Sequence, residues 1–233
     1  LRKGHVMSKL AFIFPGQGAQ KAGMGKDFYE NSEAARSFFD NAQEILDFDL
    51  KEMCFGEHEE LNLTEYTQPC MVSVCLAIVQ ELKKRGINPD ITAGLSLGEY
   101  AAVAAAGGMN ELNAIKLVRR RGILMQNTVP TGEGAMAAVL GLDAKKIEEI
   151  LESFENVWIA NYNCPGQIVI TGLTNEVKQA SLALKEAGAK RVVELKVSGP
   201  FHSLLLKPAG EALLKEMESM SFSTLQVPYV ANA

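Results

Sequence analysis

Apolar runs bounded by turn residues alternate along the chain with stretches whose apolar residues recur every three or four positions. The run 9-KLAFIF-14 reads as a buried β-strand that ends at the turn residues 15-PGQG-18. A helix is predicted over 27–46, a polar loop over 56–68 and a second helix over 69–84. In that second helix Val72, Leu76, Val79 and Leu82 keep helical spacing, and Gly86 follows a basic last turn. A short strand, 91-ITA-93, then leads into 94-GLSLG-98, a small-residue helix and a further helix over about 111–127. Strands alternating with helices predict a parallel α/β sheet.

The rhythm changes after residue 130. Strands are predicted at 134–141, 157–163, 167–172 and 191–197, and helices at 143–154 and 175–188. The order β-α-β-β-α-β is that of a ferredoxin-like split unit. Residues 130–198 therefore read as a small subdomain inserted into a larger α/β domain made of 7–129 and 199–233. Residues 1–6, LRKGHV, lack an apolar signal core and read as a remnant added for expression, with a natural start at Met7.

Composition narrows the function classes. The chain has 233 residues, 47% of them hydrophobic, enough for a sizeable core. A net charge of -5 argues against a general nucleic-acid binder. No apolar run is long enough to span a bilayer as a helix. Cys54, Cys70, Cys75 and Cys164 form no metal-ligand spacing, so no metal is expected and a reduced, cytoplasmic setting is.

The candidate chemistry centres on Ser96. G-x-S-x-G between a strand and a helix is the nucleophile-elbow pattern, in which the serine Oγ stands out at the carboxyl edge of the sheet. A serine nucleophile needs a base, and the chain has three histidines. His5 lies in the tag-like start and His58 in an acidic polar stretch. His202, in 200-PFHS-203, lies far downstream of the serine, as expected for the base on this architecture. An oxyanion hole needs backbone N–H groups, one from Leu97 and one from the loop after the first strand, most naturally Gln17. That loop is not a phosphate-binding P-loop, because GQGAQKAGMG lacks the Gly-Lys-Ser/Thr ending.

FPGQGAQ, GLSLGEYAA, RRRGILMQ, NYNCPGQIVITG and GPFHS, in that order, resemble the malonyl-CoA:acyl carrier protein transacylases of type II fatty-acid synthesis. The resemblance runs from about residue 8 to the end of the chain. It implies an α/β-hydrolase-like large subdomain with a parallel sheet and an inserted ferredoxin-like small subdomain. It also implies Ser96 as nucleophile, His202 as base, and Gln17 and Leu97 as oxyanion-hole positions. Arg121 is implied as the partner of the malonyl carboxylate, a choice that the residues 119-RRR-121 alone leave open. Gln68, Asn163 and Gln167 match positions near the family pocket. Phe201, before the histidine, matches a position where bulk would crowd an α-methyl branch. Two departures stand out. Leu95 occupies a position where the family commonly has histidine, and the family continues past Ala233 with elements that include the carbonyl orienting the base.

The implied partners are malonyl-CoA and acyl carrier protein, which brings its own phosphopantetheine, so no bound cofactor is expected; nor is a nucleic-acid or membrane partner. A monomer is expected. Lys116, Arg119, Arg120, Lys190 and Arg191 are candidates for a local basic surface facing an acidic carrier protein. Competing readings are a serine hydrolase or thioesterase with the same Ser-His pair, an acyltransferase domain of a polyketide synthase, and a non-catalytic module that binds carrier protein.

Overall fold

A computed structural model describes residues 9–130, 132–195, 197 and 199–232. The reading of residues 1–6 and of Met7 falls outside them. Two compact units form. One runs up to Leu61, resumes over Tyr66–Arg120 and returns from Met217 onward; the other comprises Asn62–Glu65 and Arg121–Glu216.

The first unit is built on a parallel three-stranded sheet of order β1-β2-β7, with β1 at Ala11–Phe14, β2 at Ile91–Gly94 and β7 at Tyr229–Val230. Its register pairs Phe14 with Gly94, and Thr92 with Tyr229. The helix expected over 27–46 is two helices, α1 (Lys26–Asn31) and α2 (Glu33–Gln43). The break has a chemical cause: Ser32 adopts extended backbone and its hydroxyl accepts the Ala35 N–H, capping α2. Helix α3 (Leu50–Phe55), which the hydrophobic pattern does not announce, is capped in the same way by Asp49. Part of the expected 56–68 loop is helical, because α4 spans Thr64–Lys84 and holds Pro69 within its early turns. At its other end the Ile87 N–H bonds to the Leu82 carbonyl, and Gly86 takes φ 75°, closing the helix with a left-handed residue. Helix α5 (Gly98–Ala105) and the first turns of α6 (Glu111–Thr128) complete the packing. Phe39, Leu50, Leu76, Ala102 and Ile115 lie at the centre of this core, each without solvent exposure.

The second unit carries a four-stranded antiparallel sheet of order β4-β5-β3-β6: β3 (Gly134–Leu140), β4 (Val157–Cys164), β5 (Gln167–Leu173) and β6 (Arg191–Glu194). With α7 (Ala144–Leu151) and α8 (Thr174–Glu186) between strands, this is the β-α-β-β-α-β order that the sequence rhythm predicts. Strand β3 is buried on both faces, and its alternation shows why. Ala135, Ala137 and Val139 pack with Ile147, Leu151, Val177 and Leu184. Met136 and Ala138 face the other way, against Val129, Phe201 and Leu206. That second layer, which includes the end of α6 and continues into α9 (Lys207–Glu218), makes the unit wider than the expected 130–198 insert. Residues 62–65 join it through Gly122, where a side chain would meet the Thr64 carbonyl and the Glu65 Cα at 2.7 Å.

Candidate active site residues

Within the first unit, Ser96 occupies the turn between β2 and α5 with φ 50°. A non-glycine residue in this left-handed region is strained and marks a turn that is over-determined by its surroundings. The flanking glycines do steric work. A Cβ on Gly94 would run into the backbone of Gly98 and Glu99; one on Gly98 would run into the Phe14 carbonyl oxygen and lie 2.7 Å from that of Pro15. Strand, turn and helix therefore close to a distance that only glycine permits. The Ser96 N–H donates to Asn232 Oδ1 at 2.8 Å. The Asn232 amide donates to the Gly94 carbonyl at 2.6 Å and to Glu99 Oε2 at 3.0 Å.

Leu97 is buried and caps α5, so its N–H points out from the helix N-terminus, where the helix dipole favours negative charge. The Pro15–Gly18 loop lies against the same turn. A Cβ on Gly16 would sit 2.8 Å from the Leu95 carbonyl oxygen and 3.4 Å from the Leu95 side chain. The two segments expected to supply oxyanion donors, at Gln17 and Leu97, are thus brought together around Ser96. Leu95, in place of the family's usual histidine, spreads its aliphatic side chain beside that loop and remains half-exposed. Gln68 is fully buried within α4, so it is not the loop residue the sequence pattern suggested. His58 pairs with Glu52 at 3.0 Å, which gives it a local structural partner.

Within the second unit, Arg121 and His202 line one cavity of about 170 Å³ with Met125, Leu206, Ala209, Gly210 and Leu213. His202 also takes a left-handed conformation, φ 60°. The chain around it is held locally: the Phe201 N–H bonds to the Gly199 carbonyl, and the Ser203 hydroxyl donates to the Pro200 carbonyl at 2.7 Å. Phe201 is buried among Val129, Met136, Ala138 and Val169 and anchors the turn. Part of His202 reaches solvent, but crowding by the surrounding protein lowers its pKa below the ordinary histidine value. The Arg121 charge adds to the same effect. Both favour the neutral imidazole, the form a general base requires. Asn163 is exposed at the end of β4, and Gln167 is half-buried at the start of β5, on the hairpin through Pro165 and Gly166. Neither lines the cavity of Arg121 and His202.

The three consecutive arginines separate as helix geometry demands, about 100° apart. Arg119 bonds Asp47 and stacks on the rings of Phe48 and Tyr66, so it is no part of a free basic surface. Arg120 is exposed, and Arg121 lines the cavity. The residue that sequence reasoning missed is Asn232. Its one local signal is its position just beyond a short apolar run, 227-VPYV-230, that pairs with the serine strand.

Comparison with known proteins agrees with these features. The acyl transferase domain family matches residues 11–232. A malonyl CoA-acyl carrier protein transacylase of Bacillus subtilis (strain 168) is 47% identical over 231 residues, 97% of this chain and 73% of the relative. An acyl carrier protein S-malonyltransferase from Vibrio cholerae superposes with a TM-score of 0.92 at 41% identity, covering 97% of this chain and 75% of that one. A malonyl-transacylase solved in complex with its holo acyl-carrier protein of a type II polyketide synthase gives 0.93 at 40% identity, with 97% and 74% covered. A match over nearly the whole chain, joined to the glycine-flanked serine turn, leads to one conclusion: the chain belongs to the acyl transferase domain family.

Proposed function

We propose that this protein moves a malonyl group from malonyl-CoA to the phosphopantetheine thiol of acyl carrier protein, through a malonyl ester on Ser96. The neutral imidazole of His202 takes the Ser96 hydroxyl proton as Oγ attacks the thioester carbonyl. The N–H groups of Gln17 and Leu97 receive the oxyanion of the tetrahedral intermediate. Its collapse breaks the carbon–sulfur bond, and coenzyme A leaves as the thiol with the proton carried by His202. The carrier-protein thiol then attacks the ester, giving its proton to His202, which returns it to Ser96 as the acyl group departs. Every bond change is a proton or acyl transfer, so the sequence of steps calls for no metal or bound cofactor.

The observation that carries the substrate assignment is the cavity shared by Arg121 and His202. A guanidinium holds a carboxylate with two charge-assisted hydrogen bonds, and an acetyl group brings no carboxylate to be held. Phe201, which precedes His202 in the chain and is buried in the core behind it, is assigned a part in favouring malonyl over an α-branched analogue. Gln68, Asn163 and Gln167 are assigned supporting positions near the acyl and pantetheine path. The four cysteines are all free thiols, two of them buried, which supports a cytoplasmic setting. We assign the monomer as the working form.

Intact-mass measurement after brief exposure to malonyl-CoA tests this reading. A malonyl-sized adduct is expected on the wild type, absent from Ser96→Ala, scarce with acetyl-CoA, and discharged by carrier protein faster than by water. An adduct discharged equally fast by water alone would make the protein a hydrolase. For a hydrolase, Arg121→Ala would leave turnover of simple esters and of malonyl-CoA equally affected.

A further inference from the structure

We infer that Asn232 is a positioning residue that holds the Ser96 turn in its reactive conformation; the inference rests on Ser96 being the nucleophile. Ser96 is held at φ 50°, a conformation that L-residues visit rarely and that needs support from outside the turn. The turn is closed by the bond from the Gly98 N–H to the Leu95 carbonyl and tied to β1 by that from the Leu95 N–H to the Phe14 carbonyl, and a further bond acts at Ser96 itself. Asn232 supplies that bond from a distant part of the chain. Its Oδ1 accepts the N–H of Ser96 itself, and its Nδ2 donates to the carbonyl of Gly94, the last residue of β2. One carboxamide therefore spans the strand end and the strained residue.

The orientation of the amide is fixed by its neighbours. Flipping it would turn its NH2 towards the Ser96 N–H and its oxygen towards the Gly94 carbonyl and the Glu99 carboxylate, opposing like with like three times. Glu99 completes the arrangement, accepting from Nδ2 at 3.0 Å and from the Asn232 backbone N–H at 3.3 Å. Strand register brings the side chain there. Tyr229 and Val230 pair in parallel with Thr92 and Ala93, and the Thr92 N–H bonds to the Pro228 carbonyl. Two residues further on, the β7 chain reaches the turn that follows β2. Asparagine is chemically specific here: aspartate keeps the acceptor but loses the donor, and alanine loses both. With the Ser96 N–H engaged by Asn232, the next N–H, that of Leu97, and the Ser96 Oγ are both set in direction by one clamp.

Three variants of the full chain test the clamp: Asn232→Ala, Asn232→Asp and the pair Asn232→Asp with Glu99→Gln. Quenched mass spectrometry reads the rate of malonyl-CoA labelling at Ser96, and amide hydrogen exchange reads Ser96 and Thr92. For Asn232→Ala the maximal labelling rate is expected to fall about 100-fold, the scale of a misplaced reacting group. The half-saturating malonyl-CoA concentration should change by less than about threefold, because binding is not what the clamp supports. Ser96 exchange should quicken while Thr92 keeps its protection. Asn232→Asp should be at least as slow, with its carboxylate facing Glu99. Adding Glu99→Gln should recover part of the rate by restoring a donor to the pair. Full labelling by Asn232→Ala, or a loss of Thr92 protection in step with Ser96, would overturn the inference. If the wild type takes up no label, the transacylase reading falls instead. The clamp is then decided by exchange alone, and unchanged Ser96 exchange in Asn232→Ala sinks it.

Discussion

Among the described residues, each unit holds one non-glycine residue in the left-handed region, Ser96 in the first and His202 in the second, and the two are held by different means. The serine turn depends on distant parts of the chain. Its N–H is bonded by a residue 136 positions away, the Leu95 N–H bonds to the Phe14 carbonyl, and Gly98 is pressed against the end of β1. The histidine turn is tied by bonds among its own residues, between Phe201 and Gly199 and between Ser203 and Pro200, and is anchored by the Phe201 ring against β3. A nucleophile that must meet oxyanion donors from another segment has to be placed against that segment, which only tertiary contacts can do. A base that must present one ring can be placed by its own turn and a hydrophobic anchor.

The sharpest way to break this difference is Gly98→Ala. The new Cβ would collide with the Phe14 carbonyl and lie 2.7 Å from the Pro15 carbonyl oxygen, so backbone on both sides must move. Overpacking of this kind costs about 1–3 kcal/mol. The turn carrying Ser96 and the loop carrying Gln17 would shift together, and labelling of Ser96 by malonyl-CoA should fall about 100-fold or more. Near wild-type labelling in a folded Gly98→Ala protein would show that the close approach is dispensable.

A smaller effect is expected at the corresponding glycine of the histidine turn. Gly134 opens β3, and a Cβ there would press on the Pro200 ring, 2.8 Å from its Cβ. The obstacle is the ring of a single residue two before His202, so relief of the clash displaces that ring with its own backbone, one segment rather than the two that Gly98→Ala would move. Gly134→Ala should therefore slow discharge and labelling by about 10-fold, with destabilisation of about 1–3 kcal/mol. Denaturant unfolding beside the labelling rate checks both. A larger loss than in Gly98→Ala would reverse the ranking of the two turns.

The same distinction decides what the sequence reveals. The serine turn is legible because its strand, glycines and helix are contiguous, and the small antiparallel sheet is legible because its short apolar strands are set apart by two helix-patterned stretches and one Pro-Gly turn. Helix breaks are less so. Ser32 divides α1 from α2 with a capping bond that an unbroken apolar periodicity conceals, and Pro69 looks like a boundary although α4 begins five residues earlier. Arg121 could not be chosen among 119–121, because the choice depends on Phe48, Tyr66 and Asp47 taking Arg119 away. Asn232 was invisible for the same reason as its usefulness: its partners lie in a strand and a turn far off in the chain.

The finest test concerns charge within the histidine unit alone. His202 has a lowered pKa, first from the crowding around its ring and then from the Arg121 charge. Removing a positive neighbour makes proton binding easier, so the His202 pKa should rise in Arg121→Met, which keeps bulk while deleting charge. With the neutral ring as the proposed base, activity should be lost as pH falls through that pKa. The acid limb of any residual turnover should accordingly move to higher pH. A stability effect carries the same sign: a histidine with a depressed folded pKa favours the native state above its unfolded value, and that contribution is lost as pH falls through the folded one. Arg121→Met should lose less of it, so its stability should depend less on pH across the same window. An NMR titration of the His202 ring, assigned with a His202→Ala control, reads the shift directly. A pKa unmoved or lowered in Arg121→Met would mean that the arginine does not act on the ring through its charge, and crowding alone would have to account for the depressed value.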